Sequence, residues 1–85
     1  MTKEEIQCQV DKMTKLDYKY LMGTKAYHQL GEISRDKENL FGAIGETDEY
    51  YIGCWVTGYG FFNACFPKET SRELSDKEIK DYNKK

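Results

Sequence analysis

The chain opens on a helical pattern. Thr2 followed by Glu5 has the spacing of a capping box, in which the hydroxyl accepts an exposed amide proton and the carboxylate reaches back to the cap residue. Ile6, Val10, Met13 and Asp17 follow at alternating steps of four and three, with Lys3, Glu4, Asp11, Lys12 and Lys15 on the other side. This is the stripe of an amphipathic helix, narrow enough to need a sheet over it. Leu16, Tyr20 and Leu21 widen the stripe if the helix continues to Met22, where Gly23 supplies a terminator.

Beyond Gly23 the pattern turns extended. Residues 25–33 alternate Tyr27, Gln29, Gly31 and Ile33 with Ala26, His28, Leu30 and Glu32, a strand with no single clean apolar face. The charged run 34–38 reads as a turn. Residues 39–45 and 50–56 read as strands joined through Glu46, Thr47, Asp48 and Glu49, a hairpin connection. Thr57, Gly58, Tyr59 and Gly60 punctuate again, and residues 61–66 make a fourth strand closed by Pro67. Ser75 and Glu78 repeat the capping box and open a short helix from Asp76 to about Asn83, with Ile79 and Tyr82 on one face and a fraying tail of Lys84 and Lys85. The predicted fold is α+β: one domain over residues 1–85, with an N-terminal amphipathic helix on a small curved antiparallel sheet of three or four strands and a short C-terminal helix.

Composition supports a folded chain. Seven Tyr, four Phe and one Trp among 85 residues supply burial that the few aliphatic side chains cannot, which outweighs the polar mean hydropathy of -0.82. A chain this short buries only about 60% of its unfolded surface, so each large apolar side chain counts.

Charge narrows the partners. Residues 26–66 hold two basic against six acidic side chains, and the two flanks are nearly balanced. A protein that grips duplex DNA needs a basic face, and none is visible; a DNA mimic needs a denser acidic surface than this. No apolar run approaches the ~20 residues of a membrane span. The first five residues carry no apolar run, so an export signal is not expected, and Cys8, Cys54 and Cys65 are expected as reduced thiols in a cytoplasmic setting. No metal site is expected, because the cysteines are widely spaced and the lone His28 is far from all three.

Catalytic inventories are thin. His28 would have to carry acid–base or nucleophilic work alone, the carboxylates Glu46, Asp48 and Glu49 sit in a solvated turn, and Gly58-Tyr59-Gly60 lacks the Lys-Ser/Thr pair of a phosphate loop. No enzyme activity and no cofactor are expected. Glycines 42, 45, 53, 58 and 60 either mark bulges and turns of a curled sheet or open backbone to a ligand. Residues 55–74 are similarly two-sided. Trp55, Tyr59, Phe61, Phe62 and Phe66 precede the polar loop Lys68, Glu69, Thr70, Ser71 and Arg72. Lys68, Thr70, Ser71 and Arg72 could hold phosphate while Trp55 or Tyr59 stacks on a base. Alternatively the aromatics fill the core and Arg72 pairs with Glu69 or Glu73 on the surface.

The stretch GYGFFNACFPKETSREL, residues 58–74, resembles segments of the short, Lys/Glu/Tyr-rich accessory proteins of bacteriophages and mobile elements. That resemblance implies an anti-defence factor acting by stoichiometric binding, such as an anti-CRISPR protein or a sponge for immune signalling nucleotides. It transfers no residue roles. The leading expectation is a non-enzymatic inhibitor of a bacterial defence effector protein, with Tyr50, Tyr59 and Arg72 as anchors, since Tyr and Arg are favoured in interfaces. A nucleotide-sequestering homo-oligomer built on Trp55, Tyr59, Lys68, Thr70, Ser71 and Arg72 is the alternative, and a phage assembly or regulatory partner is a third.

Overall fold

The computed structural model describes residues 1–58 and 63–83, with residues 82 and 83 described in backbone only. Its elements run α1 (Lys3–Lys12), β1 (Thr14–His28), β2 (Gly31–Glu46), β3 (Tyr50–Trp55), β4 (Ala64–Pro67), a 3-10 turn (Lys68–Thr70), β5 (Ser71–Glu73) and α2 (Asp76–Asn83). The fold is α+β, as the pattern predicts.

Both capping boxes form. Glu5 N–H donates to Thr2 Oγ1 at 3.1 Å and Thr2 N–H to Glu5 Oε1 at 2.9 Å. Glu78 N–H donates to Ser75 Oγ at 3.3 Å and Ser75 N–H to Glu78 Oε1 at 2.9 Å. The first helix does not continue to Met22. Met13 is already extended, at φ -64 and ψ 146, and residues 14–28 form β1 instead. The four-residue step from Leu16 to Tyr20 fits helix and strand periods alike; pairing with β2, and with β5 at residues 21–23, supplies backbone partners in place of the helical ones, and Leu21 is buried as well.

The five strands close on themselves. β1 pairs with β2, β2 with β3, β3 with β4, and β4 returns to β1 at Tyr27 and Cys65. β4 and β5 succeed each other along the edge of β1 opposite β2, with Leu21, Met22 and Gly23 facing Glu73, Arg72 and Ser71. The sheet therefore has five strands, one beyond the upper end of the three or four predicted. The strand expected over 25–33 is in fact the end of β1, a tight turn and the start of β2. At that turn Gly31 takes φ 132 and the Leu30 N–H donates to His28 Nδ1 at 3.1 Å.

The run 34–38 is strand rather than turn, yet it marks a break in the ladder. Between the pairs Gly23–Asn39 and Lys25–Ser34, Thr24 alone faces residues 35–38, a wide bulge that bends β2. A second irregularity sets residues 16–18 against Ile44. These two bends let one long hairpin curl around a core.

That core is aromatic and narrow. Phe41 and Phe66 stack at 3.9 Å between centroids, and Trp55 meets both edge-on, at 6.2 and 5.0 Å. Leu21, Ala26, Ala43 and Ala64 fill the gaps. Helix α1 covers one end, where Ile6 packs with Ile52 and Cys65 beneath Val10, Met13, Tyr27 and Tyr50. Among the described residues no helix is long and apolar enough to cross a membrane.

Candidate functional site

The polar loop after β4 is knitted into the fold. Thr70 and Ser71 both donate their hydroxyls to the Pro67 carbonyl, at 3.2 and 2.8 Å. Lys68 reaches Glu46 at 3.5 Å and lies 5.0 Å from the Tyr51 ring centroid. Ser71 and Arg72 are neighbours on a strand, so their side chains diverge to opposite faces. The four donors of the expected phosphate cradle thus point to internal partners and do not converge.

Arg72 is a junction. Its Nε donates to Glu38 Oε2 at 2.7 Å, and its Nη1 and Nη2 fork onto Glu78 at 2.8 and 3.0 Å. Nη1 also donates to the Glu73 carbonyl at 3.1 Å. The expected pairing with the carboxylate of Glu69 or Glu73 is replaced by Glu38 and Glu78, and Glu73 pairs with Lys19. The fork, followed by the Ser75 amide, holds the Glu78 carboxyl well below its ordinary range, at about 2, while Glu78 and then Glu38 raise the Arg72 guanidinium. Arg72 therefore ties β5 to the β2 bulge and to α2.

Trp55 is 3% exposed, with the Arg35 guanidinium 4.2 Å above its ring. Its indole is enclosed by Phe41 and Phe66, and its Nε1 has no acceptor among the described residues. No face of Trp55 is presented for a base. Tyr59 lies outside the described residues, as do Gly60, Phe61 and Phe62. Tyr50 is half-buried at a recess of about 270 Å³ with Tyr27, Glu49 and Pro67; burial, then Glu49, raises its phenol. Tyr50 lines that recess and Arg72 does not.

The carboxylates of the β2–β3 turn line a polar recess of about 430 Å³ with Gln9, Lys12 and Lys68. Thr47 organises it, donating its hydroxyl to Gln9 Oε1 at 2.7 Å and accepting the Tyr50 N–H at 3.2 Å. Burial lowers the pKa of His28, which serves the β1–β2 turn. Cys65 is buried beneath α1 and its thiol is pushed up to about 11, so it is not a thiolate nucleophile at neutral pH. Among the described residues no group of His, Cys, Asp and Glu could hold a metal ion.

A wider concavity lies elsewhere. An open groove of about 660 Å³ runs between β1 and α2, lined by Tyr18, Tyr20, Leu40, Val56, Leu74 and Ile79, with Lys19 and Glu73 at its side. Tyr18 and Tyr20 meet edge to face at 5.0 Å between centroids. Tyr18, Tyr20, Val56 and Ile79 are each 43% to 52% exposed. Large apolar side chains collected in one open groove are a common mark of an interaction surface. The bulge at residues 16–18 turns Tyr18 outward over Gly42, where an added Cβ would lie 2.1 Å from its hydroxyl. Burial, and after it Cys54, raises the Tyr18 phenol.

Sequence reasoning placed Tyr20 and Leu21 on one helical stripe and so missed this groove. The available signal was the repeat of Tyr at 18 and 20, the spacing of one strand face. Compared with known proteins, the chain matches no family model, no curated protein and no solved structure.

Proposed function

We propose that this domain acts without catalysis, by stoichiometric binding of a partner protein in the groove between β1 and α2. The observation that carries the reading is the exposed Tyr18–Tyr20 pair beside Leu40 and Val56. Tyr rings bury much area at little rotamer cost, which favours them as interface anchors. The internal engagement of Lys68, Thr70, Ser71 and Arg72 weighs against a nucleotide cradle in that loop.

The resemblance of residues 58–74 to phage accessory proteins makes a bacterial defence effector the partner class, met in the host cytoplasm. The test is inhibition of, and direct binding to, a panel of purified CRISPR effectors. Tyr20→Ala is expected to weaken binding by at least about tenfold, the scale of an interface hot spot, while Glu69→Ala, at the separate recess beside Tyr50, leaves it unchanged. Equal binding by Tyr20→Ala and the parent chain removes the groove as the site. Calorimetric heat with a cyclic dinucleotide, lost in Lys68→Ala, would establish the sequestering alternative instead.

A further inference from the structure

We propose that α2 is a releasable strap: a helix held across one side of the groove by the Arg72 fork, which opens without unfolding the barrel and competes with whatever the groove binds. Eight residues are too few for a helix to persist alone in water. Among the described residues no strand packs extensively against α2, and Ile79, its aliphatic contribution to the groove, stays 43% exposed. Among the described residues, the polar contacts that dock it converge on one carboxylate. Glu78 Oε1 accepts both the Ser75 N–H that caps the helix and the Arg72 Nη1, and Oε2 accepts Nη2. The same guanidinium is braced from behind by Glu38 on the β2 bulge.

Planar two-point contact gives such a fork its direction, and its exposure leaves it open to exchange with water. The helix is therefore docked by a contact that can be made and broken locally, while β1 and β2 stay paired on either side of the bulge and bury Leu21 and Phe41. Local opening free energies of this kind differ from the global one when a segment has few buried contacts. Undocking would remove Ile79 from one wall of the groove and lengthen the exposed strip of Tyr18, Tyr20, Leu40 and Val56. The strap stands without any partner; its part as a competitor rests on the proposed binding role.

The test is millisecond amide hydrogen exchange on the full chain. In the parent protein the α2 amides should exchange faster than those of β1 and β2. Arg72→Gln and Glu78→Gln should each speed α2 exchange roughly two- to fivefold, the scale of an exposed ion pair, and leave the barrel unchanged. Arg72→Lys, which keeps the charge but not the fork, should fall between. Barrel-like protection of α2 in the parent, or exchange in both Gln variants indistinguishable from it, overturns the strap. With a bound effector in hand, both Gln variants should bind two- to fivefold more tightly, because less energy is spent on undocking. Weaker binding by both overturns the competition and makes the Arg72–Glu78 pair part of the interface. Absence of any effector would count against the binding role alone, since the exchange result is read on the free chain.

Discussion

Gly53→Ala is expected to leave the chain without a cooperative fold. A Cβ at position 53 would sit 1.8 Å from the Gly42 carbonyl oxygen and 2.9 Å from the Ala43 Cα. Both are backbone atoms of the paired strand, so no rotamer change relieves the overlap. Relief requires β2 and β3 to separate where Ala43 faces Gly53, two residues from the Phe41–Trp55 pair that holds the aromatic core together. The loss should exceed about 4 kcal/mol, the range reached only when backbone or core is broken, a large share of the total stability of a small domain. Near-UV circular dichroism and urea unfolding followed by Trp55 fluorescence measure it. Gly31→Ala is the control: its φ is 132 but nothing lies within 4 Å of the new Cβ, so it should lose only about 1–3 kcal/mol of backbone strain and still unfold cooperatively. Equal losses at the two positions would show that conformation, not space, is what glycine supplies at 53.

The same residue shows what sequence could and could not say. Glycines within strands read as marking either bulges and turns or openings to a ligand; Gly53 flanks the β2–β3 irregularity, and at both Gly53 and Gly42 the space is taken by this chain's own atoms, backbone at the first and a ring at the second. Capping boxes were legible because their donors and acceptors lie three residues apart, so Thr2–Glu5 and Ser75–Glu78 are local facts. The end of α1 was not, since residues 14–22 satisfy both periods and only the distant β2 and β5 decide between them. The charged run 34–38 carried a real signal under the wrong name. It is where the β1–β2 ladder breaks, but the chain stays extended there and Glu38 meets Arg72.

The candidate site was less legible still, for a physical reason. Lys68, Thr70, Ser71 and Arg72 have the right groups for phosphate, but whether a donor is free depends on acceptors remote in sequence: Glu46, 22 positions from Lys68, and Glu38, 34 positions from Arg72. Trp55 likewise looks available until Phe41, Phe66 and Arg35 enclose it. The groove is assembled from four separate segments, around residues 18–20, 40, 56 and 74–79, none of which is distinctive alone. Exposed apolar residues become informative only when the fold gathers them.

Gly42→Ala should separate fold from surface. Here the obstacle is the far end of a side chain: the new Cβ would lie 2.1 Å from the Tyr18 hydroxyl and 2.2 Å from its Cζ. Tyr18 is 52% exposed and can swing into solvent, so stability should change by no more than about 1 kcal/mol, the worth of its edge-to-face contact with Tyr20. The groove, in contrast, loses one wall. Three readouts follow. Nuclear Overhauser contacts between the Tyr18 and Tyr20 rings should disappear. The Tyr18 phenol, raised in the parent by burial and by Cys54, should titrate at lower pH once it stands in water. Binding of an effector in the groove should weaken at least about tenfold with the urea midpoint nearly unmoved. Unfolding of Gly42→Ala would mean that Tyr18 braces the sheet and is not a surface anchor. Retained ring contacts with lost binding would place the partner on the β2–β3 backbone instead, because Tyr18 would then still occupy its seat while the strands beneath it had given way.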